Sequence, residues 1–283
     1  MMKKILMLLF CSQVFSVGEA GAIFLLIAPG AGAVGTGEAQ VAKADDVYAS
    51  YYNPAGLGYL EGSELGVMHV NWLPNLADDI YYDFLAYRKM ISGIGTVASN
   101  LIYLNLGEQI RTDEEGNSLG TFSSNMWSLS ASIGSQVTKN SSMGLGFKVI
   151  QQNLAPEGAG SEETKGSSTN ILFDLGYLNK IIKSEYSIPY EKIVLDTLEK
   201  KSDLLIDNKD NAITIQDKIV KQKSGFLTEL NFGLSISNIG PKIWFQDKGQ
   251  ADPAPTNMKL GIYTTLYNDS YNKISFLLDA NKL

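Results

Sequence analysis

The chain has 283 residues, and its 23 basic and 30 acidic side chains give a net charge of −7. An acidic chain without a clustered basic patch is not predicted to bind nucleic acid. A single histidine and a single cysteine argue against histidine-based triads, histidine-rich metal sites and disulfides. The protein is therefore predicted not to be an enzyme and to have no catalytic, metal-binding or cofactor-binding residues.

Residues 1–22 have the form of a secretory signal peptide. Two lysines precede an apolar run over 5–17, and small residues offer cleavage after Ala20 or after Ala22. The run is shorter than the about 20 residues that a membrane-spanning helix needs. Cleavage would remove Cys11 and leave an exported chain without a thiol.

Three glycines after this segment spell G-x-G-x-x-G, the pattern of a dinucleotide-binding turn. They are Gly30, Gly32 and Gly35. That fold needs a strand before the glycines, a helix after them and an acid about 20 residues further on. Here Pro29 interrupts the chain before the turn, and Asp45 and Asp46 follow after only about half that spacing. A nucleotide site is therefore disfavoured.

The segment 23–62 is instead predicted to fold as a hatch inside a barrel, because its many glycines and alanines fill little space. Its Asn-Pro-Ala-Gly sequence is predicted to form a sharp reversal, since proline fixes φ and glycine frees the next turn. The predicted structural residues of the hatch are Gly30, Gly32, Gly35, Asp45, Asp46, Asn53, Pro54 and Gly56. We expect the first three glycines to contact backbone closely and the two aspartates to hydrogen-bond to the barrel wall.

From residue 63 onward, apolar and polar residues alternate with a period of two. The predicted strands cover 64–73, 79–89, 92–105, 127–138, 143–150, 168–178, 229–237, 258–267 and 272–280. Most have about ten residues, enough for a tilted strand to cross a bilayer and longer than the about 5–6 residues usual in a soluble sandwich. The alternation predicts an all-β, antiparallel transmembrane barrel over 63–283.

Aromatic residues collect near the strand ends, where interfacial girdles are expected. They are Trp72, Tyr81, Tyr82, Tyr87, Tyr103, Trp127, Tyr177, Trp244, Tyr263, Tyr267 and Tyr271. This distribution favours the membrane barrel over a soluble sandwich, which would turn its apolar face inward.

Connections alternate between short turns and longer loops. The turns near Met90, Asn140 and Asp269 are short, while the loops over 105–124, 154–167 and 239–257 are long. Because bacterial barrels have short periplasmic turns and long extracellular loops, the short turns are placed in the periplasm. A charged insertion over 179–225 falls on the same side. Its 188–205 stretch fits either a short amphipathic helix or a solvated, partly disordered segment.

The hatch residues resemble those of FadL-type outer-membrane barrels, through the run from GTGEAQVAKADD to NPAGL. More specifically, the chain resembles the PorV/PorQ family of type IX secretion. The motifs are FLLIAPGAGAVGTGEA, WLPNLADDIYYDFLAY, LNLGEQIRTDEEGNSLGTF, SNIGPKIWF, PAPTNMKLGIY and LLDANKL. The resemblance covers residues 21–178 and 226–283 and leaves the insertion without a counterpart.

The resemblance implies a monomeric, non-catalytic barrel in the Gram-negative outer membrane, in contact with its lipid. It also implies the partners of such a protein: the secretion translocon, surface attachment proteins and cargo with its C-terminal domain. The alternative function is a FadL-like channel for hydrophobic small molecules. The polar inward faces at 128–138 and 229–237 argue against a lipid pocket.

The number of predicted strands is odd, whereas bacterial barrels usually have an even number. The sequence is therefore expected to be an N-terminal part of the barrel, lacking roughly five strands of the family's full barrel. Its first and last strands should then not pair with each other.

Overall fold

The computed structural model describes residues 20–72, 74–75, 77–113, 115–155, 166–182, 185–187, 220–222, 225–245, 251–268 and 271–283. The predicted signal peptide up to residue 19, with Cys11, lies outside these residues. So does the 188–205 stretch for which a helix or a solvated segment is predicted.

Nine of the eleven described strands form one antiparallel sheet. The strands are β1 (Ser63–Asn71), β2 (Ile80–Ile91), β3 (Gly95–Thr112), β4 (Ser118–Gln136), β5 (Ser141–Ala155), β6 (Gly166–Ile182), β7 (Glu185–Ser187), β8 (Val220–Gln222), β9 (Gly225–Ile239), β10 (Asn257–Asn268) and β11 (Lys273–Lys282). The order in the large sheet is β1-β2-β3-β4-β5-β6-β9-β10-β11, and β7 pairs with β8 in a separate ribbon within the insertion. Each predicted segment matches one strand of the large sheet, which confirms the all-β antiparallel prediction.

The large sheet is open. Among the described residues β1 pairs only with β2, and β11 pairs only with β10. Because every connection joins neighbouring antiparallel strands, the connections alternate between two ends of the sheet. At one end, the turn end, β2 is joined to β3, β4 to β5, β6 to β9 and β10 to β11. At the other end, the loop end, β1 is joined to β2, β3 to β4, β5 to β6 and β9 to β10.

The predicted loop over 105–124 is wrong. β3 continues to Thr112 and β4 begins at Ser118, so the connection is only 113–117. The alternation of apolar and polar residues is lost there because polar residues occupy both faces of the strands. Backbone pairing does not require apolar side chains, so β3 and β4 continue to pair. A register shift beside Gly107, whose φ is 75°, interrupts the pairing between Asn105 and Glu108.

Residues 20–62 precede the sheet and form short helical pieces. These are a 3₁₀ turn (Ile23–Leu26), α1 (Ala31–Gly35), α2 (Ala49–Tyr52) and a 3₁₀ helix (Pro54–Tyr59). Within the described residues, no helix is long and apolar enough to cross a membrane. Residues 23–62 are the predicted hatch, and residues 20–22 lead into it.

The two faces of the large sheet have opposite chemistry. The inner face, which the hatch covers, carries mostly serine, asparagine and other polar side chains, and these are buried. The outer face carries leucine, isoleucine, valine and phenylalanine, and these are exposed. On β5, for example, Phe147 is 43% exposed while its neighbour Lys148 is 6% exposed. The period of two in the sequence is therefore a polar-in, apolar-out alternation.

An apolar core joins the hatch to the first strands of the sheet. Phe24, Leu25 and Val47 of the hatch pack with Phe84 of β2 and Ile102 of β3. Two residues predicted for the aromatic girdle, Tyr82 and Tyr263, are 0% and 3% exposed on the inner face, so their assignment to the girdle is wrong.

Candidate functional site: the hatch against the inner face

A row of glycines lets the hatch backbone lie directly on three strands. Gly134, Gly144 and Gly176 are paired across β4, β5 and β6. A Cβ atom at any of them would lie closer than 3.0 Å to Pro54 or Asn53 of the hatch, nearer than real Cβ atoms approach. The row is therefore a seat that only glycine can form against a backbone so close.

Asn53 is fully buried, and its side chain forms hydrogen bonds both within the hatch and to the wall. Its Oδ1 accepts a hydrogen bond from the backbone N–H of Ala55 at 3.1 Å. Its Nδ2 donates to the carbonyl of Val41 at 2.8 Å and to that of Tyr177 on β6 at 3.2 Å. Pro54 follows at the first turn of the 3₁₀ helix, where its missing N–H leaves no hydrogen bond unmade.

A second seat lies on β9 and β10. Gly233 and Gly261 are paired there, and a Cβ atom on Gly233 would meet the backbone of Val41. From β11, the Asp279 carboxylate accepts a hydrogen bond from the N–H of Val41 at 3.0 Å. The hatch is thus held at two places, one by uncharged groups and one with the help of a carboxylate.

The glycines of the G-x-G-x-x-G pattern do not form these seats, so the prediction that all three contact backbone closely is wrong. Gly30 is the N-cap of α1 with φ 92°, and a Cβ atom there would only touch the Tyr48 ring at 3.4 Å. Nothing lies within 4 Å of the Cβ positions of Gly32 and Gly35. Gly56, also predicted, does make a close approach, because a Cβ atom there would strike the carbonyl of Ala44.

The prediction that two aspartates bind the wall is also wrong. The described partner of the Asp45 carboxylate is Lys43, 2.7 Å away, and Asp46 accepts from the N–H of Tyr48 at 2.9 Å. A short carboxylate reaches its own backbone two residues on more readily than a distant strand. Burial raises the pKa of Asp46 above its ordinary value, although the hydrogen bond from Tyr48 lowers it.

The tyrosines of the VYASYY stretch hold the first part of the hatch. The Tyr51 hydroxyl donates to the carbonyl of Leu25 at 2.8 Å, and the Tyr52 hydroxyl donates to that of Pro29 at 2.8 Å. Burial raises the pKa of both hydroxyls, which keeps them protonated as donors. Tyr82 of β2 donates to the carbonyl of Ile27 at 3.2 Å in the same way.

A buried ion pair organises the loop end beside the hatch. The Lys148 ammonium lies 3.0 Å from the Asp174 carboxylate and donates to Asn238 Oδ1 at 2.7 Å. Asp174 in turn accepts from the backbone N–H of Asn238 at 2.8 Å, and the Asn238 side chain donates to the carbonyl of Pro255 at 3.1 Å. Each buried charge therefore has partners, as burial requires. The network fixes the base of the connection over 240–256.

That connection folds back onto the hatch. Ile243 is 1% exposed and belongs to the same core as Phe24. The backbone N–H of Gly21 donates to the carbonyl of Pro253 at 3.0 Å. The start of the hatch and the loop end of the sheet are therefore packed as one unit.

Sequence reasoning missed the glycine seats because their partners are distant in the chain. A signal existed: Gly134, Gly144, Gly176, Gly233 and Gly261 all fall on the polar phase of alternating strands. A glycine in the interior of a strand marks a close backbone approach. Which backbone approaches is decided only in three dimensions. Within the described residues, no group of three or more histidine, cysteine, aspartate or glutamate side chains is arranged to hold a metal.

One comparison with known families decides the identity of the chain. The model of the family described as "Type IX secretion system protein PorV" matches residues 13–185 and 218–283. The chain belongs to the PorV family. No curated protein matches it.

PorV proteins are outer-membrane components of the type IX secretion system. The two matched segments include the hatch, both glycine seats and all nine strands of the large sheet. The gap between them, 186–217, lies inside the predicted insertion. In this PorV-family chain the family match therefore extends over the hatch and the large sheet and leaves out most of the predicted insertion.

Proposed function

We propose that this chain spans the outer membrane as the wall of a β-barrel and acts in type IX secretion as a non-catalytic carrier and attachment component for exported cargo. The observation that carries the membrane part is the inverted chemistry of the sheet. Large apolar side chains such as Leu145, 58% exposed, cover the outer face, while polar ones such as Ser130, 2% exposed, are buried on the inner face. Lipid is the solvent that suits such a surface.

The outward-facing side chains of β1 to β4 change in character toward the loop end, as expected where a bilayer meets water. Val67, Leu85, Leu101 and Leu129 are register partners on β1 to β4. Two residues closer to the loop end, the same strands carry His69, Asp83, Tyr103 and Trp127. This change from aliphatic to polar and aromatic side chains is the pattern of a membrane–water interface.

The hatch supports a role as a docking component rather than as a conduit. Its backbone rests on two glycine seats, and Asn53 is bonded to both the hatch and β6. A folded cargo domain could not pass between these surfaces without breaking them. The loop end and the outer rim of the barrel are therefore the surfaces proposed to meet cargo and the secretion machinery.

The hydrophobic-solute channel is the weaker candidate. A cavity of about 160 Å³ between the hatch and the wall is lined by charged and amide side chains, including Lys148, Asn257 and Lys259. A hydrophobic ligand would leave the buried Asn257 Oδ1 without a hydrogen-bond partner and the Lys259 ammonium without an ion-pair partner. The polar lining supports secretion over lipid uptake.

The proposed orientation has the loop end at the cell surface and the turn end in the periplasm. It is tested by labelling single cysteines in intact cells with a membrane-impermeant thiol reagent. Ser118, at the loop end, and Ser92, at the turn end, are both exposed residues of the described chain. We expect labelling of Ser118→Cys and not of Ser92→Cys, with both labelled in broken cells. Surface labelling of Ser92→Cys alone would invert the proposed topology.

The carrier role is tested by depleting the protein in its native host. We expect type IX cargo with its C-terminal domain to accumulate in the periplasm, and crosslinking of the tagged protein to recover cargo together with translocon and attachment proteins. Uptake of a labelled long-chain fatty acid serves as the opposing measurement. Normal cargo export with impaired uptake would replace the carrier function by the channel.

A further inference from the structure

The polar cavity between the hatch and the wall has the features of a ligand site. It has a volume of about 160 Å³ and lies at the loop-end half of the inner face. Leu25, Glu38 and Tyr52 of the hatch line it, together with Lys148, Asn257 and Lys259 of the wall. Because one water needs only about 10–15 Å³ of such space, a molecule of several non-hydrogen atoms fits.

Lys259 supplies a positive charge to the cavity, and Asp279 and Glu38 act on it only from a distance. Within the described residues no carboxylate lies within 4.0 Å of the Lys259 ammonium. The ammonium lies over the Tyr52 ring, with its Nζ 5.9 Å from the ring centroid. The Lys148 charge is already balanced by Asp174 at 3.0 Å. A partly buried cation without a carboxylate in direct contact gains from an anion that pairs with it.

The neighbouring carboxylates do not occupy this position. Asp279 accepts a hydrogen bond from the backbone N–H of Val41 at 3.0 Å and so belongs to the second glycine seat. Glu38 lies on the cavity lining, but its residue is exposed, where water and salt screen its charge.

Asn257 supplies the second recognition group. The residue is 5% exposed, and its Oδ1 is buried with no hydrogen-bond partner. An unpaired buried amide oxygen destabilises the folded protein, and a donor on a ligand would remove that cost. It lies two residues from Lys259 on β10, so both side chains are on the same face of one strand.

We propose that this cavity binds a small organic carboxylate that also carries a hydroxyl or amine donor. The carboxylate pairs with Lys259, the donor group bonds to Asn257 Oδ1, and a short apolar part contacts Leu25 of the hatch. Such a ligand bridges the hatch and β10, so binding also strengthens the contact between them. The proposal goes beyond the role in secretion and does not depend on it.

L-lactate is a suitable probe, because it has one carboxylate and one hydroxyl in a compact frame. Radiolabelled lactate is measured in equilibrium binding to protein purified from its own outer membrane in detergent, with sodium chloride at matched ionic strength. We expect saturable binding that lactamide does not displace, because the amide lacks the negative charge. Propionate, which lacks the hydroxyl, should bind about fivefold more weakly, since Asn257 stays unpaired.

Variants of both recognition residues separate this site from non-specific binding. Lys259→Met should weaken lactate binding about tenfold or more, and so should Asn257→Asp, which places a carboxylate beside Lys259. Lys282→Met, a matched change at an exposed residue of β11, should leave binding unchanged. If either of the first two variants does not fold, the other and the lactamide comparison still decide. Absent lactate binding, or lactate binding by Lys259→Met and Asn257→Asp as tight as by the wild type, would overturn the proposal.

Discussion

The two faces of the large sheet are built from the same strands but meet different surroundings. On β5, Phe147 points outward and packs against Phe173 of β6, with ring centroids 5.7 Å apart. The next residue, Lys148, points inward and is paired with Asp174. The outer face therefore needs side chains of one chemical class, whereas the inner face needs particular partners.

The consequence is a different tolerance to change on each face. If lipid covers the outer face as proposed, any large apolar residue satisfies an outer position, because lipid offers no fixed shape to match. An inner position such as Gly144 admits one residue, since the hatch backbone occupies the space a side chain would need. The outer face is thus specified by polarity, and the inner face by size and hydrogen bonding.

The strongest test of the outer face is Phe147→Arg. If that face contacts lipid, a charge near the middle of β5 should destabilise the membrane-inserted protein by about 2–4 kcal/mol. Unfolding by denaturant in lipid vesicles measures this, with Phe147→Leu as the matched control. A neutral result for the arginine variant would mean that water, and not lipid, covers this face.

The strongest test of the inner face is Gly144→Val. The added side chain would overlap the backbone of Pro54, and neither backbone can turn aside, so we expect a loss of about 3 kcal/mol, the upper end for overpacking. The same vesicle assay measures it. Gly32→Ala is the control, because nothing lies within 4 Å of that Cβ position and alanine favours the helix, by up to about 1 kcal/mol. Equal effects at the two glycines would contradict the seat.

Asn53→Ala tests the hydrogen bonds that hold the hatch on the first seat. It leaves the carbonyls of Val41 and Tyr177 without the donor they have now, at a cost of about 1–3 kcal/mol. Amide hydrogen exchange should become faster in the hatch, while the strands of the large sheet stay protected. Asn140→Ala, in an exposed turn, should change stability by less than about 0.5 kcal/mol. Uniform loss of protection would show that the hatch and the wall unfold together.

The smallest expected effect concerns Asp46. Because burial raises its pKa in the folded protein, the folded state binds this proton more tightly than the unfolded state, and stability is lost as pH rises through the raised pKa. Asp46→Asn keeps an oxygen acceptor for the N–H of Tyr48 but stays neutral. Its stability gain over wild type should be largest at neutral pH and vanish below the ordinary value of 3.8. A gain that is independent of pH would assign the effect to packing instead.

Much of the wall could be read from the sequence because alternation is a local property. Each of the nine predicted segments has its strand, and the order of short and long connections follows from strands that reverse direction. The extension of β3 to Thr112 was missed because Glu108, Gln109 and Arg111 hide the period while the backbone still pairs.

The hatch was predictable in its turn chemistry and not in its contacts. A chain reversal is predicted from the backbone preferences of Asn53, Pro54 and Gly56. The structure has this reversal at the start of the 3₁₀ helix. The partners of Asp45 and Asp46 could not be predicted from the sequence, since local and distant donors compete for the same carboxylate. A recognisable motif contains Gly30, Gly32 and Gly35, whereas the glycines of the two seats lie on five different strands and form no motif.

The sequence by itself determined the class of the protein: an acidic chain with one histidine, antiparallel strands with apolar and polar faces, and the motifs of the PorV family. These are properties of composition and of neighbours along the chain. Only the tertiary structure decided which face the hatch covers, that Gly134, Gly144 and Gly176 align beneath Asn53 and Pro54, and that Lys259 and Asn257 share a cavity. The physical reason is that folding places Asn53 and Pro54 against glycines 80 to 123 positions further along the chain, and no local preference encodes such a contact.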